Sequence, residues 1–278
     1  MSHPLKSKLH GKRALITGAS DGIGKALAFE LAKRGVAVAV AARSTDALHE
    51  VAAQCRLFGV KAVAITADVG VADDCSRMVS EACAALGGLD ILVNNAGIGM
   101  WAEFREVRDL SIFERLMRIN YLGAVWTTHA ALESIIANRG LIVAISSLTG
   151  KTGVPTRSGY AASKHAMQGF FDSIRIELAP LGVDVSVISP GFVATAIRER
   201  GFGADGRPRG ESPRSESDDT MPLETCVARI VTAIERRERE VVMTAKARVG
   251  LWLKLIAPAT VDRIARKAVR EKPPGAEG

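Results

Sequence analysis

Up to about residue 195 the sequence keeps switching between two hydrophobic periods, and this alternation restricts the fold more than any other feature. Short apolar, β-branched runs at 13–17, 36–42, 60–66, 89–93, 141–146 and 183–188 read as strands. Between them lie longer segments of helical period, at 22–34, 46–58, 72–86, 110–137 and 159–178. In the first of these Ile23, Ala26, Leu27, Leu31 and Ala32 share one stripe, and Gly35 ends the helix. Strands alternating with helices predict βαβ units, right-handed crossovers and a parallel sheet. The strand runs are apolar on both faces, as in VAVAVAA and DILVNN, so helices must cover both sides of the sheet. The expected fold class is a doubly wound α/β sheet.

Beyond Thr195 the texture changes. Residues 198–220 are rich in Gly, Ser, Arg and Asp and almost free of apolar side chains, the composition of a mobile loop. A helix is expected at 223–237 and a last strand near 240–244. This reading gives one domain over 1–245, followed by a basic tail over 246–278. The tail accounts for nearly all of the net charge of +7, because eight basic residues face two acidic ones between Lys246 and Lys272. The rest of the chain is close to neutral, which argues against nucleic acid as a partner.

Within the tail, residues 249–256 form an apolar cluster around Trp252, and Pro258 opens a helix. Val261, Ile264, Ala265, Ala268 and Val269 line one side of that helix, and Arg263, Arg266, Lys267 and Arg270 the other. A basic amphipathic helix of this kind suits peripheral contact with a membrane surface. It equally suits packing on its own domain or on a partner subunit. No run approaches about 18 apolar residues, so no transmembrane helix is expected. The start of the chain is polar and basic, and no secretory signal is expected. Cys55, Cys75, Cys83 and Cys226 form no C-x-x-C pair, and free thiols in a reducing cytoplasm are the expectation. No His, Cys, Asp or Glu cluster has metal-ligand spacing, so no metal is expected.

Chemistry enters at the first strand, which runs into TGASDGIG and then into a helix. Glycines at 18, 22 and 24 let the backbone approach a pyrophosphate, and the helix N-terminus offers unpaired N–H groups at the positive end of its dipole. The second strand ends in Ala42 and Arg43, where NAD-binding folds usually carry an acid for the ribose 2′-hydroxyl. A guanidinium there can pair with a 2′-phosphate, which favours NADP(H) over NAD(H). Downstream, NNAG follows the fourth strand, Ser146 and Ser147 end the fifth, and Tyr160 and Lys164 sit four apart on a helix. That spacing puts the phenol and the ammonium on one face. A phenol is a poor acid or base at neutral pH, and a neighbouring Lys⁺ makes it a better one by lowering its pKa.

TGASDGIG, NNAG, Asn120, Ser147, Tyr160-x-x-x-Lys164 and PGFVAT together resemble the short-chain dehydrogenase/reductase family in its single-domain form, over about residues 10–245. The resemblance implies a Rossmann-like sheet of seven parallel strands and hydride transfer with a nicotinamide cofactor. It also implies a catalytic tetrad of Asn120, Ser147, Tyr160 and Lys164. Tyr160 would be the acid/base, Lys164 would lower its pKa and bond the nicotinamide ribose, Ser147 would donate to the substrate oxygen, and Asn120 would hold a water. Gly18, Ser20, Gly22, Ile23 and Gly24 would line the diphosphate, and Asp68 and Val69 the adenine. Asn95, Ala96 and Gly97 would flank the adjoining ribose, and Pro190, Gly191, Val193 and Thr195 the nicotinamide. Some members of the family with a strong NADP preference carry a basic residue just before the second glycine; here that residue is Asp21, so the resemblance implies that the phosphate would rely on Arg43, with Ser20 or Arg13 as helpers. A homodimer or homotetramer is the family's habit.

The stretch around Tyr160 is most similar to the branch with steroid- and retinoid-active members, some of them membrane-associated. Ile98, Met100, Trp101, Leu148, Val154 and Phe192 give the substrate side an apolar lining, which fits a lipophilic carbonyl or alcohol. The epimerase and dehydratase branch usually carries a larger C-terminal domain than this chain has room for. A non-catalytic NADP sensor remains the alternative from another class.

Overall fold

The computed structural model describes residues 7–195, 200–210 and 220–269. Strands β1 (Arg13–Thr17), β2 (Ala37–Ala42), β3 (Ala62–Thr66), β4 (Ile91–Asn94), β5 (Leu141–Ile145), β6 (Asp184–Ser189) and β7 (Glu240–Val242) form one sheet. Their order is β3-β2-β1-β4-β5-β6-β7, and every pairing is parallel. The order reverses between β1 and β4, and a cleft opens there beyond the carboxyl ends of the strands.

The period of two divides the strands between two cores. Ile16, Val38, Val40, Val93 and Val143 face one side, against Leu27 and Leu31 of α1 (Gly22–Lys33), Leu48 of α2 (Thr45–Arg56) and Ile230 and Ile234 of α7 (Leu223–Arg236). Leu15, Ala39, Leu92, Ile142 and Val187 face the other. There they meet Met78 of α3 (Ala72–Leu86), Ile135 of α5 (Gly123–Ala137) and Phe171 of α6 (Ser158–Leu178). This is the Rossmann-like, doubly wound architecture that the alternation predicts, with its six strands and the seventh beyond residue 238.

Two elements depart from the expectation. The segment 110–137 is not one regular helix: α4 (Ser111–Leu116) passes into a π-helical stretch, Met117–Leu122, before α5 begins. The wider winding accommodates Asn120, fully buried, whose carboxamide closes a two-way bond with the backbone of Ile98. In the tail, the cluster around Trp252 forms a helix of its own, α8 (Ala245–Ile256), and Pro258 starts α9 (Pro258–Val269) after a break at Ala257. The break follows from sequence, since the residue before a proline avoids helical dihedrals. Of the segment expected to be mobile, 198–199 and 211–219 lie outside the described residues, as does Arg270. Residues 200–210 lie against the segment 99–108: Phe202 N donates to Gly99 O at 3.0 Å, and Trp101 N to Phe202 O at 2.8 Å.

Candidate active site

The cleft is about 470 Å³ in volume, and every expected cofactor or catalytic residue lines it except Gly24 and Asn120, which lie just behind its wall. Its cofactor half is shaped by close backbone approach. Gly18 has φ +66, and a Cβ there would stand 2.7 Å from Ala96 Cα. A Cβ at Gly24 would stand 2.4 Å from Gly18 O, so only hydrogen fits at either position. Asp21 caps α1 by accepting from Gly22 N at 2.7 Å. The turn is fixed from β4: Asn95 Nδ2 donates to Thr17 O and Gly18 O, and Thr17 Oγ1 accepts from the N–H groups of Asn95 and Ala96. The Asn95 side chain thus holds the glycine turn in shape.

Arg43 is exposed at the mouth of the cleft beside Ala42 and Ser44. Arg13 cannot assist it. It sits at the opposite, N-terminal end of β1, where its Nε is 2.7 Å from Asp90, so that expectation is corrected. The cation that does reach the glycine turn is Arg200, paired with Asp21 at 2.8 Å. Asp68 lines the cleft further along and accepts from Gly70 N at 2.8 Å.

At the inner end β5 delivers Ser146 and Ser147, and α6 delivers Tyr160 and Lys164. Ser147 Oγ accepts from Thr149 N at 3.2 Å, and its hydroxyl neighbours that of Tyr160. Lys164 Nζ is buried and donates to Ile145 O at 2.9 Å and to Met167 Sδ at 3.3 Å. Burial lowers its pKa to about 8. Burial also raises the Tyr160 pKa, opposed by the charge of Arg157 and by the neighbouring Ser147 hydroxyl. The Arg157 charge thus acts on the phenol in the direction expected of Lys164. Asn120 acts at one remove, joining Ile98 to Ser163 through its Nδ2.

The residues present fit a nicotinamide dinucleotide. The glycine cradle is one observation. The Ser146 hydroxyl is another, since it is buried on the cleft wall with no hydrogen-bond partner among the described residues. Among the described residues no group of His, Cys, Asp or Glu could hold a metal.

The substrate half has its own small core of Met100, Ala102, Ile112, Leu116 and Tyr160, with Phe202 against it. Arg157, Arg200 and Phe202 line the cleft and escape the sequence motifs. Arg157 left one signal, its place three residues before Tyr160. Phe202 left another, as an aromatic within a polar segment.

A family profile described as short chain dehydrogenase matches residues 12–203. An 11-beta-hydroxysteroid dehydrogenase A from Sesamum indicum is 37% identical over 261 residues, 92% of this chain and 75% of that protein. A dehydrogenase/reductase SDR family protein 7-like from Anopheles gambiae is 36% identical, over 93% of this chain and 83% of its own. Among solved structures, an alcohol dehydrogenase from the archaeon Thermococcus sibiricus, complexed with 5-hydroxy-NADP, superposes with a TM-score of 0.74. It is 26% identical and covers 84% of this chain and 95% of its own.

Proposed function

This chain belongs to the short-chain dehydrogenase family and is an alcohol–carbonyl oxidoreductase, and we propose that it uses NADP(H) on a lipophilic ketone, aldehyde or alcohol. The observation that carries the reading is the convergence of Ser147, Tyr160 and Lys164 on one cleft with the glycine turn. When bound, the cofactor supplies or accepts a hydride at the substrate carbon. Gly18, Ser20, Gly22 and Ile23 would hold its diphosphate, and Ser146 and Lys164 would offer polar groups to its nicotinamide end.

Tyr160 gives its proton to the substrate oxygen in reduction and takes one back in oxidation, a task typically worth about 10²–10⁴-fold in rate. The Ser147 hydroxyl donates to the same oxygen and stabilises the charge that develops there. Asn120 holds the segment that begins at Ile98 against α6, and so sets the depth of the pocket. The preference for NADP(H) rests on Arg43 beside the uncharged Ala42. The 5-hydroxy-NADP complex of the archaeal alcohol dehydrogenase agrees with it. The apolar substrate rests on Ile98, Phe192 and Phe202 in the lining, in agreement with the similarity to a hydroxysteroid dehydrogenase from sesame.

We place the catalytic unit at 1–245 and treat the tail as a contact surface. Val249, Trp252, Leu255 and Ile256 project from α8, with Trp252 74% and Ile256 83% exposed. Arg248 on the same helix and Arg263, Arg266 and Lys267 on α9 are also exposed. Among the described residues no helix is long and apolar enough to cross a membrane. A peripheral contact, with an anionic bilayer or with a second copy, fits this arrangement.

The deciding experiment is titration with NADPH and NADH, then an NADPH-consumption screen over apolar and polar carbonyl compounds, with Tyr160→Phe alongside. Tighter NADPH binding and turnover of apolar carbonyls, lost in Tyr160→Phe with cofactor affinity kept, is the expected result. Most of the rate surviving in Tyr160→Phe would refute the acid/base role, and binding without any turnover would favour the sensor alternative.

A further inference from the structure

The turn before α6 carries a feature that the proton-transfer scheme leaves unused. Thr156 has φ +66, left-handed backbone that is strained for a β-branched residue. Its carbonyl accepts from Ala102 N at 2.9 Å, which ties the turn to the substrate-side segment. The chain leaves this kink at Arg157, the N-cap position of α6, whose carbonyl accepts from Ala161 N at 2.7 Å. From there the guanidinium lies 3.5 Å from the centroid of the Trp101 ring and 5.1 Å from that of Tyr160. Trp101 is buried and held by its own backbone bond to Phe202, so the surface on which the cation stacks is rigid.

Two cations therefore face the phenol, and they differ. Lys164 Nζ is 5.9 Å from the Tyr160 ring, with hydrogen bonds directed at Ile145 O and Met167 Sδ. Its charge is also partial at alkaline pH, because burial lowers its pKa to about 8. A guanidinium stays charged at any pH the protein survives. Around the rest of Tyr160, Ser147 brings a hydroxyl, and Ile112 and Leu116 from α4, Met100 and Ala102, and Phe202 and Ala204 bring apolar groups.

We infer that Arg157 is a positioning residue for proton transfer: clamped on Trp101, it keeps a permanent positive charge against Tyr160 and favours the phenolate. The inference rests on the reading of Tyr160 as the acid/base. It assigns to Arg157 a role that the Tyr-x-x-x-Lys motif gives to lysine. The strained Thr156 is what aims the side chain inward.

The chain has only two tyrosines, Tyr121 and Tyr160, so phenolate formation can be read at a single site. In a Tyr121→Phe background, Tyr160 is titrated by ultraviolet absorbance after pH jumps, before the fold responds. Arg157→Gln is expected to raise the midpoint by about one unit, a tenfold loss of phenolate at a given pH. Arg157→Lys should recover part of that shift. Trp101→Leu, which releases the guanidinium, should raise the midpoint by a smaller amount. In the oxidation direction the rising limb of kcat against pH should move by the same interval, with KM for the cofactor unchanged.

A midpoint that stays put in Arg157→Gln, or Arg157→Lys no better than Arg157→Gln, overturns the proposal and leaves Arg157 as packing. Should Arg157→Gln not fold, Trp101→Leu and Arg157→Lys decide, and an unmoved midpoint in both is the refuting result. The titration needs no turnover, so it fails independently of the acid/base role, which Tyr160→Phe tests by rate.

Discussion

The two halves of the cleft are built by different means. The cofactor half is backbone against backbone: Gly18 beside Ala96, Gly24 beneath Gly18 O, and one asparagine bonding the turn. The substrate half is made of side chains stacked on side chains, with Arg157 on Trp101, Arg115 4.6 Å from Phe202, and Tyr160 among Met100, Ile112 and Leu116. A diphosphate is one shape for every enzyme that binds it, and main-chain N–H groups suffice to recognise it. A substrate pocket has to suit one molecule. Side chains borne on loops can change without disturbing the sheet beneath.

The comparison breaks first at Gly24. Gly24→Ala would push a methyl into Gly18 O, backbone that cannot move aside, and we expect a loss of about 3 kcal/mol or failure to bind cofactor. Gly191→Ala, at a glycine of the same cleft whose added Cβ meets nothing within 4 Å, should change stability by less than about 0.5 kcal/mol. Urea melts of the two variants measure this. Equal effects would mean that the cofactor half is not set by sterics.

Lys164 stands where the halves meet, and its burial has a measurable consequence. Its pKa falls from the ordinary lysine value of 10.5 to about 8 in the folded chain. Between those values the unfolded chain holds the extra proton, so native stability gains as pH rises through this window. Below pH 8 the buried charge opposes folding in full. Lys164→Met should therefore be more stable than the parent at pH 7, by about 2 kcal/mol once the lost bond to Ile145 O is allowed for. The advantage should shrink steadily toward pH 10. Chemical denaturation of both proteins across pH 7–10 reads this difference directly. Cys55 and Cys226, whose pKa values burial lifts to about 11 and about 12, cancel in the comparison because both proteins carry them.

A smaller effect is expected at Arg43. Arg43→Ala should weaken NADPH by about tenfold, the scale of one solvent-exposed charge-assisted bond, and leave NADH unchanged. Equal weakening of both cofactors, measured by fluorescence titration, would remove the basis for the NADP(H) preference.

What the sequence made legible follows the same division. The strands, the glycine turn and Ser147, Tyr160 and Lys164 are local signals: a period, a run of small residues, a spacing of four on one helix face. They survive any rearrangement of the loops. The π-helical winding at Met117–Leu122 was hidden, because it depends on Asn120 finding the backbone of Ile98, which is remote in sequence. Arg13 misled for the same reason: its partner Asp90 is remote in sequence and comes alongside only when β4 pairs with β1. Arg200 could not be read as a neighbour of Asp21, since nothing local brings 200 to 21. Arg157 had a local signal and still passed unread, because its meaning depends on Trp101 arriving from another loop.

Phe202 carries the smallest predicted effect and separates the halves most finely. Its backbone holds the 200–210 segment on Gly99 and Trp101, and its ring adds the wall of the cleft, packing on the small core around Met100 and the contact with Arg115. Phe202→Ala keeps the two backbone bonds and removes the ring, so the segment should stay in place with a wider pocket. The loss of one aromatic contact, about 1 kcal/mol, predicts roughly a fivefold rise in KM for an apolar carbonyl, with kcat and cofactor affinity unchanged. The same segment also holds Arg200 on Asp21, at the edge of the glycine turn. A matching rise in the cofactor's Kd would therefore show that the ring keeps Arg200 in register, and that the two halves respond as one unit. Steady-state kinetics with a parallel NADPH titration separates these outcomes, because an independent wall moves KM alone.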